Sequence, residues 1–296
     1  MFSLIVVTYN SRDLLPQFLS CLATTADRHY ETIVVDNASS DGTVEWLRAE
    51  YPQVRVVANQ RNVGFGAACN RGMAVAQGDV FVTMNPDVQI TPAWLTILRQ
   101  HFSAYPEAAI ICPTTLYPDE NPPSATLAVA ETAAVPGCAL ALRRNAWQEI
   151  GGFDEQMFLY WEDTELCWRA WLLGWQVLED YMALVYHQRG GSTAEGHWEA
   201  ETAKNGLYTH LKLRRWRWVG LFALRLAVKT LLRLLLERRT DLVRAWAWNL
   251  RHLPATLRAR RSVARRRKVD VSKFERLVRV HVRRGRRERR LRSGGS

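Results

Sequence analysis

Glu162 and Asp163 stand side by side in "FLYWEDTELCWRAWLLGW", at the head of a helix-like stretch and behind an aromatic lead-in of Phe158, Tyr160 and Trp161. Adjacent carboxyls on an apolar threshold suit general-base chemistry, because partial desolvation by the rings raises the basicity of a carboxylate that must take a proton from a hydroxyl. Acids at a helix N-terminus are also what the helix dipole favours with no reaction involved, so both readings are open. A second candidate is "MNPDV". Pro86 fixes its own backbone and pushes Asn85 toward extended geometry, which holds Asn85 and Asp87 in a defined turn at a strand end. A hard divalent cation that bridges phosphates needs only one or two protein carboxylates and takes its other ligands from water or substrate. His187, in "VYHQRGGST", is the candidate second ligand, provided that the fold brings it to Asp87; a lone histidine is otherwise a structural residue.

Short apolar runs alternate with helical patterns and would supply the scaffold. Leu4–Val7, Thr32–Val35, Val54–Ala58 and Val80–Met84 read as strands, separated by helices at about 12–25, 42–50, 65–77 and 92–103. The alternation predicts an α/β domain with a mainly parallel sheet. Polar clusters follow each strand: "TYNS", "DNASSDGT", "NQRNVGFG" and "NPD". In open α/β sheets that edge binds ligands. Asp36, at a strand end ahead of Asn, Ser and Gly, either hydrogen-bonds a base or ribose or closes a turn, with Asp41 capping the next helix. The paired glycines of "NVGFGAACN" allow close approach of a phosphate or sugar at a helix entry, or serve a tight turn. No Gly-x-Gly-x-x-Gly fingerprint follows the first strand, which argues against a dinucleotide-binding reading. Downstream, an irregular loop is expected near 117–131, a strand around Ala139–Leu142 and a helix from about Thr164 to Leu173.

Charge divides the chain of 296 residues unevenly. Residues 206–296 hold 28 of the 40 Lys/Arg and 5 of the 29 Asp/Glu, which makes them +23 and residues 1–205 −12. An acidic body joined to a basic tail points to an anionic partner, membrane or nucleic acid. In "WVGLFALRLAVKTLLRLLLERR" three cations, Arg225, Lys229 and Arg233, recur at four-residue spacing. They argue against a bilayer span and for an interfacial helix, with the tryptophans at 216, 218, 246 and 248 as anchors. A solvated basic helix on the body or on a partner chain is the alternative. The tail lacks a recognised nucleic-acid motif, and its apolar helix has no use on a phosphate backbone. The five cysteines are scattered, odd in number and without a Cys-x-x-Cys pair, as expected of reduced thiols in a cytosolic setting. "MFSLIVVT" has neither a basic n-region nor a cleavage site and reads as strand one.

Taken in order, "VVTYNS", "VVDNASSDGT", "NVGFGAACNRG", "NPDV", "GCALALRRNAW", "GGFDEQMFLYWEDTELCWRAWLLGW" and "HQRGGS" resemble the family-2 glycosyltransferases, the inverting group with the GT-A fold, and within it the bacterial rhamnosyltransferase-type members. The resemblance covers about residues 2–192. It implies a Rossmann-like nucleotide-diphospho-sugar transferase domain over residues 1–205, followed by a basic, amphipathic, membrane-associating helical segment over 206–296. The family's metal motif is Asp-x-Asp, and Asn85-Pro86-Asp87 keeps its last acid. The resemblance thus implies that Asp87 binds Mg²⁺ or Mn²⁺ across the donor diphosphate, with His187 at a position that ligates metal in some relatives. It further implies that Thr8, Tyr9 and Asn10, with Asp36, line the base and ribose, that Asn62, Asn70 and Asn85 sit near the donor, and that Asp163 is the base. Glu162 would shape the acceptor site and Trp161 would contact substrate. The implied activity is inverting transfer of a sugar, rhamnose among the candidates, from a nucleotide-diphosphate donor to a hydroxyl of a polyprenyl-linked or other saccharide acceptor in cell-surface polysaccharide synthesis. The implied location is cytoplasmic, peripheral on an anionic inner membrane face, with no specific nucleic acid. A catalytically silent nucleotide-sugar binder and a nucleic-acid binder using the basic tail are the competing classes.

Overall fold

A computed structural model describes residues 1–122, 127–188 and 198–293, with side chains through residue 283. Part of the expected 117–131 loop, the glycines of "HQRGGS" and the last residues of "SGGS" lie outside the described residues. The chain forms two compact units: Met1–Glu131, Val135–Phe158 and Trp175–Thr193 in one, Thr132–Ala134, Leu159–Gly174 and Ala194–Ser296 in the other.

The first unit is built on a nine-stranded sheet in the order β3-β2-β1-β4-β8-β6-β9-β5, with β7 also on β9. Strands β1 (Phe2–Thr8), β2 (Tyr30–Asp36), β3 (Arg55–Ala58) and β4 (Val80–Met84) are parallel and are joined by α1 (Leu15–Leu22), α2 (Thr43–Glu50) and α3 (Phe65–Val75). Every residue of β1 and β4 is buried, as a parallel strand covered on both faces requires. The rest of the sheet is mixed. After β5 (Val88–Ile90), α4 (Trp94–Ala104), β6 (Ala108–Leu116) and β7 (Val129–Glu131), the strand β8 (Ala141–Arg143) enters antiparallel between β4 and β6, followed by α5 (Arg144–Ile150). β9 (Gln176–His187) runs parallel to β6 and antiparallel to β5 and β7. Its pairing with β6 shifts register between Pro113 and Thr114, where proline cannot donate to a ladder. The continuous core of this unit includes Leu4, Val6, Phe18, Val82, Met84, Trp94, Leu98 and Ile111.

In the second unit α6 (Glu162–Leu172) is grouped with α7 (Trp198–Leu213), α8 (Trp216–Glu237), α9 (Asp241–Arg266) and α10 (Val271–Ser293). Leu207, Leu226, Leu242 and Ala245 form a small core among α7, α8 and α9. Arg225, Lys229 and Arg233 are spaced for one side of α8, and Lys229 and Arg233 reach Glu199 of α7 at 2.5 and 3.2 Å. Leu224, Val228, Leu231, Leu232, Leu235 and Leu236 are each at least half exposed. The outward stripe of α8 is therefore apolar, with part of its charge turned inward. Among the described residues no helix is long and apolar enough to cross a membrane. No disulfide links the five cysteines.

Candidate functional site

The order β3-β2-β1-β4 reverses between β1 and β4, which makes their carboxyl ends the topological switch point of the parallel half. β1 ends at Thr8, in register with Asp36 at the end of β2. The Asp36 carboxylate is buried and accepts hydrogen bonds from Thr8 Oγ1 (3.0 Å), Ser39 N (2.9 Å) and Ser39 Oγ (2.5 Å). Asn10 and Ala38 take left-handed backbone, at φ 50° and 65°. Asn10 N donates to Ser39 Oγ and Asn10 Oδ1 accepts from Ser40 N, both at 2.8 Å, so the loops after β1 and β2 are tied together. Tyr9 projects from this edge half exposed. Beside it, Asn59 Nδ2 donates to Asn37 Oδ1, Arg71 donates to Asn59 Oδ1, and Asn37 Nδ2 donates to the Gly64 carbonyl. Asn62 Oδ1 accepts from Gly64 N at 3.0 Å. Gly64 has φ +87°, and a Cβ there would collide with the Phe158 carbonyl, so glycine is required at this entry to α3.

Asn85-Pro86-Asp87-Val88 is a turn closed by Val88 N on the Asn85 carbonyl at 3.3 Å, with proline at its favoured second position. It hands the chain to β5, whose first residue, Val88, pairs with His187 at the end of β9. This register carries His187 to Asp87 across 100 residues of sequence. His187 Nε2 lies 3.1 Å from Asp87 Oδ1 and 3.3 Å from Asn85 Nδ2. Oδ1 is buried and receives no hydrogen bond of acceptable geometry, despite the short distance to the imidazole. A buried carboxylate oxygen left unmatched beside an imidazole nitrogen is a pair of ligand atoms that a divalent cation would complete. Among the described residues no three His, Cys, Asp or Glu side chains come together as a larger cluster. Asp87 and His187 thus suit an ion that draws its remaining ligands from water or a bound molecule.

In the second unit, α6 begins at Glu162, so the aromatic lead-in ends where the helix starts. Tyr160 and Trp161 both sit at positive φ, 67° and 73°, a conformation that costs bulky residues about 1–3 kcal/mol each and clusters at functional sites. Asn205 Nδ2 holds this segment by donating to the carbonyls of Leu159 (3.0 Å) and Tyr160 (2.8 Å). The Trp161 ring packs edge-on to Trp168, His210 and Phe222. Glu162 is buried and its Oε2 has no hydrogen-bond partner. Burial first, then the charges of Asp163 and Glu201, push its carboxyl up to about 8. Asp163 is more open, and its Oδ1 accepts from Thr164 N (2.5 Å) and Thr164 Oγ1 (3.2 Å).

The profile described as "Glycosyl transferase family 2" matches residues 3–181. The chain belongs to this family. It is 30% identical over 234 residues to the N-acetylglucosaminyl-diphospho-decaprenol L-rhamnosyltransferase of Mycobacterium tuberculosis, covering 64% of this chain and 76% of that one. Among solved structures it is similar to residues 1–349 of S. aureus TarS in complex with UDP-GlcNAc, with a TM-score of 0.63, 17% identity and coverage of 82% of this chain and 79% of that one. It is also similar to GalNAc-T7 with UDP, GalNAc and Mn²⁺, with a TM-score of 0.60 and 18% identity, spanning 72% of this chain and about half (48%) of that one. The fold of this family-2 glycosyltransferase is therefore GT-A.

Within the transferase, Thr8, Asn10 and Asp36 come together at one edge, as do Asn85, Asp87 and His187. Asn70 is engaged differently. Both protons of its amide are spent on Phe153 O and Glu155 Oε1, and its Oδ1 accepts from Phe153 N, so it clasps the "GGFDE" segment. Asn205, which holds the Tyr160 carbonyl, and His210, which packs on the Trp161 ring, were not found by motif reading, since neither belongs to a motif. The acid pair also makes a stability prediction. Between its ordinary value of 4.5 and about 8, folded Glu162 keeps a proton that the unfolded chain releases, so stability falls as pH rises through that window. Glu162→Gln removes this dependence. Its melting temperature minus that of the native chain is expected to grow from pH 4.5 to a plateau above pH 8, and a flat difference would sink the assignment of a buried neutral acid.

Proposed function

We propose that the protein is an inverting, metal-dependent glycosyltransferase that moves a sugar, rhamnose being the first candidate, from a nucleotide-diphosphate donor to a hydroxyl of a polyprenyl-linked saccharide. The observation that carries this reading is the pairing of buried, unmatched Asp87 Oδ1 with His187 Nε2 beside Asn85, at the switch-point edge that also holds Thr8 and Asp36. In this reading Tyr9 offers a ring to the base, Asn10, Asp36 and Asn62 shape the nucleotide loops, and Asn70 holds the neighbouring "GGFDE" segment. When bound, Mg²⁺ or Mn²⁺ on Asp87 and His187 supplies positive charge against the donor's diphosphate. Asp163 accepts the proton of the acceptor hydroxyl, and the oxygen attacks the anomeric carbon from the side opposite the diphosphate. The bond from that carbon to the diphosphate oxygen breaks as the new bond forms, so the configuration inverts. Glu162, neutral through burial, leaves Asp163 as the charged member of the pair, with Trp161 beside the acceptor. Residues 1–205 carry the transfer. Residues 206–296 lay the apolar stripe of α8 on the anionic cytoplasmic face of a membrane, where nearby Lys and Arg add about 1 kcal/mol each, screened by salt. The relative named for a diphospho-decaprenol substrate supports the acceptor class in this reading.

A thermal-shift screen of nucleotide sugars, dTDP-rhamnose included, with and without Mg²⁺ or Mn²⁺ tests the donor half. One donor is expected to raise the melting temperature only with metal, and Asp87→Ala is expected to abolish that rise. In the same preparation the chain should sediment with phosphatidylglycerol vesicles. A donor shift that is equal with EDTA, or that survives in Asp87→Ala, would overturn the metal assignment.

A further inference from the structure

The helical unit contains a cavity of about 250 Å³ lined by Arg214, Arg225, Arg279 and Arg283, with no acid among its lining residues. His210, also in the lining, is pushed down to about 4 by burial and adds no charge at neutral pH. Arg214 is the built part of the site. It is 4% exposed and its Nε has no hydrogen-bond partner. Its guanidinium lies against the rings of Trp168, Trp218 and Phe274, at 5.0, 5.2 and 5.8 Å. The nearest carboxylate, Glu275, stands 3.9 Å off and is committed elsewhere, to Arg217 at 2.7 Å and to the Arg215 N–H at 3.2 Å. Burial draws the Arg214 pKa down to about 10, and one shared carboxylate does not neutralise the cluster. A buried guanidinium with an unused N–H is stable only with an anion in reach, and arginine forks match phosphate oxygens.

The other wall is apolar: Trp218, Leu221, Phe222, Val278 and Val282. Leu221 starts a helical row that continues through the exposed Leu224, Val228, Leu231 and Leu235, about 21 Å along α8. A multiply charged pocket at the head of an apolar row fits a ligand with an anionic head and a hydrocarbon chain. A free sugar nucleotide has no use for the row, and a bare anion leaves it uncovered.

We propose that this cavity binds the diphosphate head of a prenyl-chain lipid, with the chain lying along the exposed row of α8. The proposal rests on the polyprenyl-linked acceptor reading, and gives that acceptor a holding site within the helical unit. Calorimetric titration of the full chain with farnesyl diphosphate, inorganic diphosphate and farnesol, and sedimentation with phosphatidylglycerol vesicles, test it. Farnesyl diphosphate is expected to bind at least about 10-fold tighter than either fragment, and the exposed double variant Arg225→Ala/Arg279→Ala to lose about 10-fold or more of that affinity. Equal binding of inorganic diphosphate would make this a free-anion site and overturn the lipid assignment. Unchanged farnesyl diphosphate binding in the double variant, or binding to vesicles alone, would overturn it as well. The metal-dependent donor shift should be intact in the double variant. If it is absent from the native chain while farnesyl diphosphate binds, the transferase reading fails and this site stands.

Discussion

Asp163→Asn is expected to lower sugar transfer by about 10²–10⁴-fold while donor binding is unchanged, because a base that takes the acceptor's proton contributes on that scale. The substitution is nearly isosteric. Asp163 Oδ1 accepts from Thr164 N and Oγ1, and the amide oxygen of asparagine can keep both bonds, so the first turn of α6 should persist. What disappears is the charge and the basicity. Glu162→Gln makes the opposite comparison, since the native carboxyl is held neutral by burial and glutamine replaces one neutral group with another. That variant should keep far more activity than Asp163→Asn. Transfer rates with saturating donor, paired with calorimetric donor titrations of both variants, decide the matter. Native rates in Asp163→Asn would remove Asp163 as the base, and a collapse confined to Glu162→Gln would move the role to its neighbour.

The parallel half of the sheet was legible because its strands are continuous apolar runs. β1 and β4 are buried along their whole length, and such strands cannot be mistaken for amphipathic ones. The polar loops at their ends were legible for the same reason, standing out against those runs. The second half was harder to read. β6 contains Pro113, which argues against a strand until its position at a register shift is known, and β5 and β7 have three residues each. The pairing of Asp87 with His187 depends on that register, so the sequence could nominate each residue without joining them. At α6 the acids were visible as a pair, whereas the positive φ of Tyr160 and Trp161 and the Asn205 clasp are tertiary facts with no local signal. On α8 the spacing of the cations was visible, but which face looks outward is decided by the burial of Leu226 with Leu207 and Leu242, a tertiary contact.

Glu165→Gln is expected to cost about 3–5 kcal/mol of stability, the scale for breaking a buried ion pair from one side. Glu165 is fully buried one turn into α6 and bridges two cations, Arg169 Nη2 at 2.6 Å and Lys212 Nζ at 2.7 Å, both of them also buried. Burial alone would raise its carboxyl, but the charges of Arg169 and Lys212 outweigh that and hold it at about 2. A depressed carboxyl contributes stability above its unfolded value of 4.5, and that contribution is lost as pH falls toward 2. In glutamine the acceptor oxygen remains, yet two buried cations face no charge. Urea unfolding at pH 7 should therefore show a lower midpoint with an unchanged slope, and the gap to the native chain should narrow in acid. The triple change Glu165→Met/Arg169→Leu/Lys212→Leu removes all three charges together and is expected to recover most of the loss, since apolar replacement of a whole buried ionic group is often neutral or better. Recovery in the triple variant would locate the cost in the unpaired cations rather than in the glutamate itself. A triple variant no more stable than Glu165→Gln would instead mean that the ions position α6, and with it the strained turn that presents Glu162 and Asp163.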